Sequence, residues 1–357
     1  MNPRTVAHFI VVLAWSAAPA LAQPAADAPA AIEADARTAP AVARGLAFLA
    51  GVQQPGGGFP DGGQGESTGI TGIAGLAFLA DGHLPGRTGY GFVVENAAAF
   101  ILDNAGPSGL IAADTSHGPM YGHGYATLFL AELIGQLGEP AGRVDEARLR
   151  AVLARAVRLI VDTQNPEGGW RYQPRPLDAD ISVTITQIMA LRAARNAGLA
   201  VPVQTIERAI AYVKACQEDG PLNQGGGGFR YMTSPGSAAW PRSAAGVASL
   251  QYAGVYGGDE VERGLAYLAA FTPRGGGNGG FGGGQPHWFY GHYYHAQAVF
   301  LAGGSHWTNY FPDAREQMLA DQQGDGSWRS SHGEAYATGM ALLVLQMPNR
   351  LLPIFQR

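Results

Sequence analysis

Apolar side chains recur at helical spacing through most of the chain, and they do so in two alternating kinds of segment. Around residues 149–160, Leu149, Val152, Leu153, Ala156, Val157 and Ile160 share one helix face, while Arg148, Arg150, Arg155 and Arg158 occupy the other. That pattern predicts an amphipathic helix with one wet side. Similar segments fall at 41–53, 90–104, 204–217, 259–271 and 312–323. Between them lies a second set, at 69–81, 122–136, 181–197, 243–256, 289–302 and 334–346, apolar on most of its circumference. A helix of that second kind is predicted to be buried on all sides.

The junction from the first kind to the second carries a repeated motif. Gln53 to Phe59, Gln164 to Trp170 and Gln322 to Trp328 all fit Gln-x-x-x-Gly-x-aromatic. Looser copies end at Gly228-Phe229 and Gly280-Phe281, and a degenerate one runs from Asn104 to Leu110. The glutamine ends the outer helix, the glycine supplies the positive φ needed there, and the aromatic packs back into the hairpin. Six units of similar length follow, each one helical hairpin. The prediction is an all-α fold, an (α/α)6 toroid with six amphipathic helices outside and six buried ones inside. The alternative weighed against it is an open solenoid.

Composition narrows the setting. Arg4, an apolar run over residues 7–18 and the Ala20-Leu21-Ala22 pattern read as a signal peptide over residues 1–22, followed by an Ala/Pro-rich linker to residue 40 and the toroid domain from 41 to 357. The expected location is periplasmic or extracellular. No segment of the mature chain is long and apolar enough to span a bilayer, and peripheral membrane contact is left open. The formal charge is −5, only 14% of residues are charged, and no basic stripe exists, which argues against nucleic acid as a partner. The single cysteine, Cys216, excludes an intrachain disulfide and any multi-cysteine metal site.

In a closed toroid the six inner helices start at one rim, so their first turns aim polar groups at a common funnel. Asp178, Asp180, His123 and Glu334 are the candidate catalytic groups there. The pairs Ser67/Thr71, His123/Thr127, Asp180/Thr184 and Glu334/Thr338 are each four apart, on one helix face. From that spacing His123, Asp180 and Glu334 are expected at equivalent positions facing the cavity. Asp178 and Asp180 each have a plainer reading as helix N-caps, favoured for Asp178. Trp240, Arg242, Trp288, Tyr290, Tyr293, Tyr125 and Tyr336 are candidate substrate-binding residues. His292 and His295, three apart, are the candidate metal ligands, and a divalent metal is the one cofactor left open. The C-terminal residues 350–357 are expected to close the ring against the first repeat, or else to serve as a docking tail.

The Gln-x-x-x-Gly-x-Trp repeats and the segment Asp178-Ala179-Asp180-Ile181 resemble the prenyltransferase and squalene oxidase repeat superfamily over essentially all of the chain after residue 40. The resemblance implies terpene-cyclase-like chemistry on an apolar isoprenoid, with Asp180 matching the proton donor of the Asp-x-Asp-Asp motif. Ile181 stands where that motif has its third acid, and Cys216 does not match a prenyltransferase zinc ligand. Three functions therefore stand side by side: acid-initiated isoprenoid cyclisation, polysaccharide-active or metal-assisted chemistry, and a non-catalytic binding or assembly module of the envelope.

Overall fold

The computed structural model describes residues 36–356 apart from 64, 88, 114–117, 138–141, 143 and 273–286. The expected signal peptide, the linker up to residue 35 and the Gly280-Phe281 copy of the motif lie outside the described residues.

Among the described residues, twelve α-helices alternate strictly between two layers. The outer layer comprises α1 (Thr38–Val52), α3 (Gly91–Asp103), α5 (Glu146–Asp162), α7 (Val203–Ala215), α9 (Asp259–Phe271) and α11 (Gly304–Asp321). The inner layer comprises α2 (Thr68–Ala80), α4 (Met120–Leu133), α6 (Ile181–Asn196), α8 (Trp240–Tyr252), α10 (Trp288–Ala302) and α12 (Glu334–Leu345). Each inner helix packs on the next, and α12 packs back on α2, so the ring is closed rather than open. Burial follows the hydrophobic pattern. All thirteen residues of α2 are buried, whereas α5 buries only the six apolar residues of its predicted face.

Most boundaries fall within a few residues of expectation, and two starts bear on the ring. The first helix begins at Thr38, inside the expected linker. Helix α11 begins at Gly304 and runs through Pro312, the expected start of the helix. An internal proline removes a backbone hydrogen bond. Here Trp307 stacks on Phe311 and meets Phe300 of α10 edge-on, and that apolar packing holds the extra turns in place.

The repeated glutamine has a specific job. Gln164 Nε2 donates to the carbonyls of Gly168 in its own turn and Thr205 in the next outer helix. Gln53 does the same to Gly57 and Val93, and Gln217 to Gly227 and Glu260. Gln322 donates to Gly326 and to Ala41 of α1, so the last repeat is stitched to the first by the device used between neighbours. Deep in the ring, Gln346 Nε2 repeats this closure on Ala77. Substituting Gln322→Leu removes both of these bonds and should lower unfolding free energy by about 2 kcal/mol in urea titration. An unchanged midpoint would show that the seam does not depend on this side chain.

Inner helices approach closely because glycine lines their contact. A Cβ on Gly69 would come within 2.9 Å of the Gly122 Cα, and one on Gly72 within 2.7 Å of the Tyr125 carbonyl. The glycine excess inside these helices is thus a packing requirement. Among the described residues, no helix is long and apolar enough to cross a membrane.

The C-terminal segment does not end on the first repeat. Asn349 reaches the Ala80 carbonyl at the end of α2, but the 3-10 turn Pro353–Phe355 then crosses to pack on α6 and α10. Ile354 and Phe355 are buried, and the Ile354 N–H donates to Glu132 at the end of α4. The segment therefore stoppers the base of the toroid, opposite the rim where the inner helices begin.

Candidate functional site

The rim is formed by the N-caps of the six inner helices: Ser67, Pro119, Asp180, Ala239, His287 and Gly333. Asp180 caps α6. Its Oδ1 accepts from the Ser182 and Val183 N–H groups, both at 2.9 Å, and from the Ser182 hydroxyl at 2.5 Å. Its Oδ2 is buried and has no hydrogen-bond partner, the Arg171 Nε standing 3.8 Å away. Burial raises the Asp180 pKa above the usual carboxylate range, against the opposing pull of Ser182, Val183 and Arg171. The helix cap is thus Asp180 and not Asp178, the residue favoured for that role by its position ahead of the helix. Asp178 is exposed and pairs with Arg171 at 2.5 Å. The helix starts at Ile181, so only the residue immediately before it reaches the first free N–H groups.

The expected equivalence of His123, Asp180 and Glu334 fails for His123. In each of the five repeats whose turn lies among the described residues, one inner-helix side chain accepts from the backbone N–H at the aromatic position of the preceding turn. These pairs are Thr71 with Phe59, Thr184 with Trp170, Ser243 with Phe229 and Thr338 with Trp328. In the second repeat the acceptor is His123 Nδ1, receiving the Ile111 N–H, while its Nε2 faces the Ala156 carbonyl of α5 at 3.2 Å. His123 therefore matches Thr184, one turn beyond Asp180, and its ring spans to the outer layer. The imidazole is held neutral, since burial drives its pKa down to about 4. The four-residue spacing fits two registers, and the sequence alone does not choose between them. Glu334 does match Asp180 in register, but its side chain is 46% exposed and pairs with Arg329 at 3.3 Å. The three groups do not meet.

Tyrosines converge instead. A pocket of about 390 Å³ opens at the rim, lined by Tyr121, Tyr172, Tyr231 and Tyr290 with Ser182 and Arg242. Tyr121 donates to the Ser182 hydroxyl at 2.5 Å, and Ser182 also touches Asp180, so the carboxyl lies one residue behind the wall. The Tyr172 and Tyr231 hydroxyls bond each other, and the Arg171 guanidinium lies over both rings at 5.4 and 5.9 Å. Tyr290 presents a buried hydroxyl with no partner. Burial lifts the Tyr121 and Tyr290 phenols well above their usual range, with Asp180 adding to both effects. Arg242 is anchored by donation to the Ser237 carbonyl. Tyr172 and Tyr231 are not among the residues expected from the sequence. Each sits two residues after its motif aromatic, Trp170 and Phe229, and that shared offset is the signal that could have found them.

Below the pocket the ring is filled. Tyr125 and Tyr294 bond hydroxyl to hydroxyl at 2.8 Å, and Tyr293 packs against both rings. Tyr290 meets Tyr294 edge-on, and Tyr336 lies close enough to perturb Tyr125 and Tyr293. Tyr125, Tyr293 and Tyr336, expected as cavity lining, thus form the packed centre, and only Tyr290 and Arg242 of the expected binding residues line the pocket.

Trp240 and Trp288 turn away from the pocket towards His292, their rings 4.9 and 4.2 Å from its imidazole. Trp240 Nε1 donates to His295 Nδ1 at 3.1 Å. An indole N–H only donates, so Nδ1 of His295 is the acceptor and its proton sits on Nε2. That tautomer cannot offer Nε2 to a metal without breaking the indole bond. Among the described residues no group of three or more His, Cys, Asp or Glu side chains is arranged to hold a metal ion. The geometry therefore runs against His292 and His295 as a metal pair.

No family model and no curated protein matches the chain. Solved structures do. A β-1,3-1,4-glucanase from Paenibacillus sp. X4 aligns with a TM-score of 0.62 at 10% identity, over 90% of this chain and 95% of that one. An inactive variant of an α-1,6-mannanase from Salegentibacter, in complex with α-1,6-mannotriose, aligns at 0.61 and 7% identity, over 88% and 99%. A type II terpene cyclase from Scytonema aligns at 0.54 and 16% identity, over 88% and 99%. At these identities the likeness establishes the α/α toroid and leaves the chemistry open.

Proposed function

We propose that the protein binds a polyhydroxylated, sugar-like ligand in the tyrosine-lined pocket at the mouth of the toroid, and binds it without hydrolysing it. The observation that carries this reading is the pocket wall itself: four phenols, the Ser182 hydroxyl and the Arg242 guanidinium around about 390 Å³. Phenol rings offer faces for the C–H side of a pyranose, and their hydroxyls exchange hydrogen bonds with its edge. Glycoside hydrolysis would need two carboxyl groups flanking the bond, roughly 5–10 Å apart. The described wall contains none, and Asp180 is engaged as a cap behind it. The mannanase neighbour, which shares the ring, was made inactive by replacing two aspartates, and its structure holds a mannotriose. Calorimetric titration with neutral oligosaccharides, α-1,6-mannotriose and β-glucan fragments among them, tests the reading. Saturable binding is expected, weakened about tenfold, or ~1.4 kcal/mol, in Tyr231→Ala. Absence of binding across the set overturns it.

A second reading keeps its own observation. The unpartnered Oδ2 of Asp180 and its raised pKa suit a carboxylic acid that gives up a proton, as acid-initiated isoprenoid cyclisation requires. Incubation with squalene and shorter polyprenes separates the two. A cyclised product that disappears in folded Asp180→Asn replaces the binding reading.

A further inference from the structure

A buried carboxyl group lies under the last turn of the chain, at the end of the toroid opposite the mouth pocket. Glu132, near the C-terminal end of α4, has its side chain out of solvent, and its Oε2 accepts the Ile354 N–H at 3.3 Å. Over it runs the tail, residues 351–356, with Leu352, Ile354 and Phe355 buried against the ring. The tail's other hydrogen bonds close on the tail itself. The Phe355 N–H donates to the Leu352 carbonyl, the Gln356 N–H to Pro353, and Gln356 Nε2 to Arg350. The tail hangs on Arg350, whose φ of +54° puts it in the left-handed region, a strained conformation for a residue with a side chain. Three apolar side chains, the bond to Glu132 and a strained hinge thus hold a chain end in place. A segment of that kind opens at lower cost than packed helices do.

A carboxylate is poorly tolerated in that position, because burial penalises its charge and one long N–H bond does little to offset the penalty. The elements packed around Glu132 do not compensate. Helix α2 carries no titratable side chain, and the buried face of α5 is apolar. On α6, Arg192 bonds the Tyr256 hydroxyl and Arg195 is exposed. Tyr252 on α8 and Tyr293 on α10 feel the charge of Glu132, but burial lifts both phenols above their usual range, so neither ionises where the carboxyl does. Arg350 of the hinge lies over the Phe300 ring, 5.4 Å from its centroid. Water reaching the carboxylate from the side that the tail covers is therefore the relief that disturbs least of the ring.

We infer that residues 351–356 form a proton-controlled strap, seated over the base of the ring while Glu132 is protonated and released about Arg350 when Glu132 ionises. The base of the toroid opens on release, and the helices stay folded.

Hydrogen–deuterium exchange of the full chain at pH 5.5, 7 and 8.5, read peptide by peptide and scaled to the intrinsic exchange rate, tests this. With the folded carboxyl raised from 4.5 to about 7, strap opening should be about thirtyfold more favourable at pH 8.5 than at pH 5.5. Amide protection in the C-terminal peptide should accordingly fall by at least about tenfold across that range, while α6 and α10 keep theirs. Glu132→Gln should keep the strap seated at all three pH values. Phe355→Ala, which removes tail packing and leaves Glu132 in place, should loosen the strap already at pH 5.5 with the helices still protected. The inference is overturned if wild-type tail protection does not change with pH, if α6 and α10 lose protection in step with the tail, or if folded Glu132→Gln keeps the wild-type pH dependence. The wild-type comparison of tail against helices decides the matter even where a variant does not fold.

Discussion

Replacing Gly168 by alanine should destabilise the protein by about 4 kcal/mol. Gly168 is the glycine of the Gln164 motif, with φ +102°, a conformation L-residues rarely adopt. An added Cβ would also sit 2.1 Å from the Arg208 carbonyl oxygen in the first half of α7. That oxygen belongs to helix backbone and cannot swing aside as a side-chain tip can. Every described motif glycine meets the next outer helix in this way: Gly57 meets Asn96, Gly109 meets Arg155, Gly227 meets Arg263 and Gly326 meets Arg44. A control isolates the cause. Gly198 has φ +86° but nothing within 4 Å of its missing Cβ, so Gly198→Ala suffers only the backbone strain, about 1–2 kcal/mol. Urea unfolding of both variants gives the comparison. Equal losses would mean that φ alone, and not the close approach between repeats, selects glycine in the motif.

The second large effect concerns the base of the ring. Glu132 is only 3% exposed, and the Ile354 N–H donates to it at 3.3 Å. Burial raises its pKa from 4.5 to about 7 in the folded protein. The folded state therefore holds this proton more tightly than the unfolded chain. Its stabilising contribution is complete below pH 4.5 and is lost as pH rises through about 7, amounting to about 3 kcal/mol by pH 8. Glu132→Gln removes the charge and keeps an acceptor for Ile354. The variant should be up to about 3 kcal/mol more stable than wild type at pH 8 and no more stable at pH 4.5. The buried histidines have the opposite sign. With folded pKa values of about 4 for His123 and about 3 for His292, both below the usual 6.5, their contribution is present above pH 6.5 and lost as pH falls. In Glu132→Gln the loss through about pH 7 should be gone, and the histidine limb should make its stability climb towards pH 6.5 and then level off. Urea midpoints between pH 4 and 8 measure both curves. An advantage for the variant that does not change with pH would show that Glu132 acts through packing rather than charge.

Much of the architecture is legible in the residues because the forces that build it are periodic. The face of Leu149, Val152 and Ile160 against Arg148 and Arg155 defines an outer helix whatever it packs on. The thirteen uniformly apolar or small residues of α2 define an inner one. The Gln164-to-Trp170 pattern aligns with Gln53-to-Phe59 and Gln322-to-Trp328 from the residues alone, because each segment ends a helix, reverses the chain and seats an aromatic. Trp170 and Trp328 do seat themselves identically, donating to the carbonyls of Ile160 and Met318 at 2.7 Å. Ring closure follows from six similar units, and the Gln322 bond to Ala41 is its atomic form.

The candidate site is less legible, for a physical reason. A polar residue in the first turn of a buried helix has several uses for the same chemistry: capping its own helix, accepting from the preceding turn, or facing the cavity. Asp180 takes the first with Oδ1 and leaves Oδ2 bare. His123 takes the second, where other repeats use threonine or serine. Glu334, in the register of Asp180, goes to solvent and Arg329. Which use prevails depends on distances of an ångström between helices far apart in sequence, and helical spacing does not record them. The same holds for the tyrosines. Tyr172 and Tyr231 meet only because two consecutive repeats present equivalent turns side by side, while Tyr125 and Tyr293 fill the centre because the inner ring is narrow. The sequence by itself determined the helices, their two layers, the turn chemistry and the sixfold ring, since each rests on local periodicity and backbone preference. Tertiary structure alone decided which polar groups share a space, because that depends on how closely glycine lets the inner helices approach and on where the C-terminal segment seals the ring.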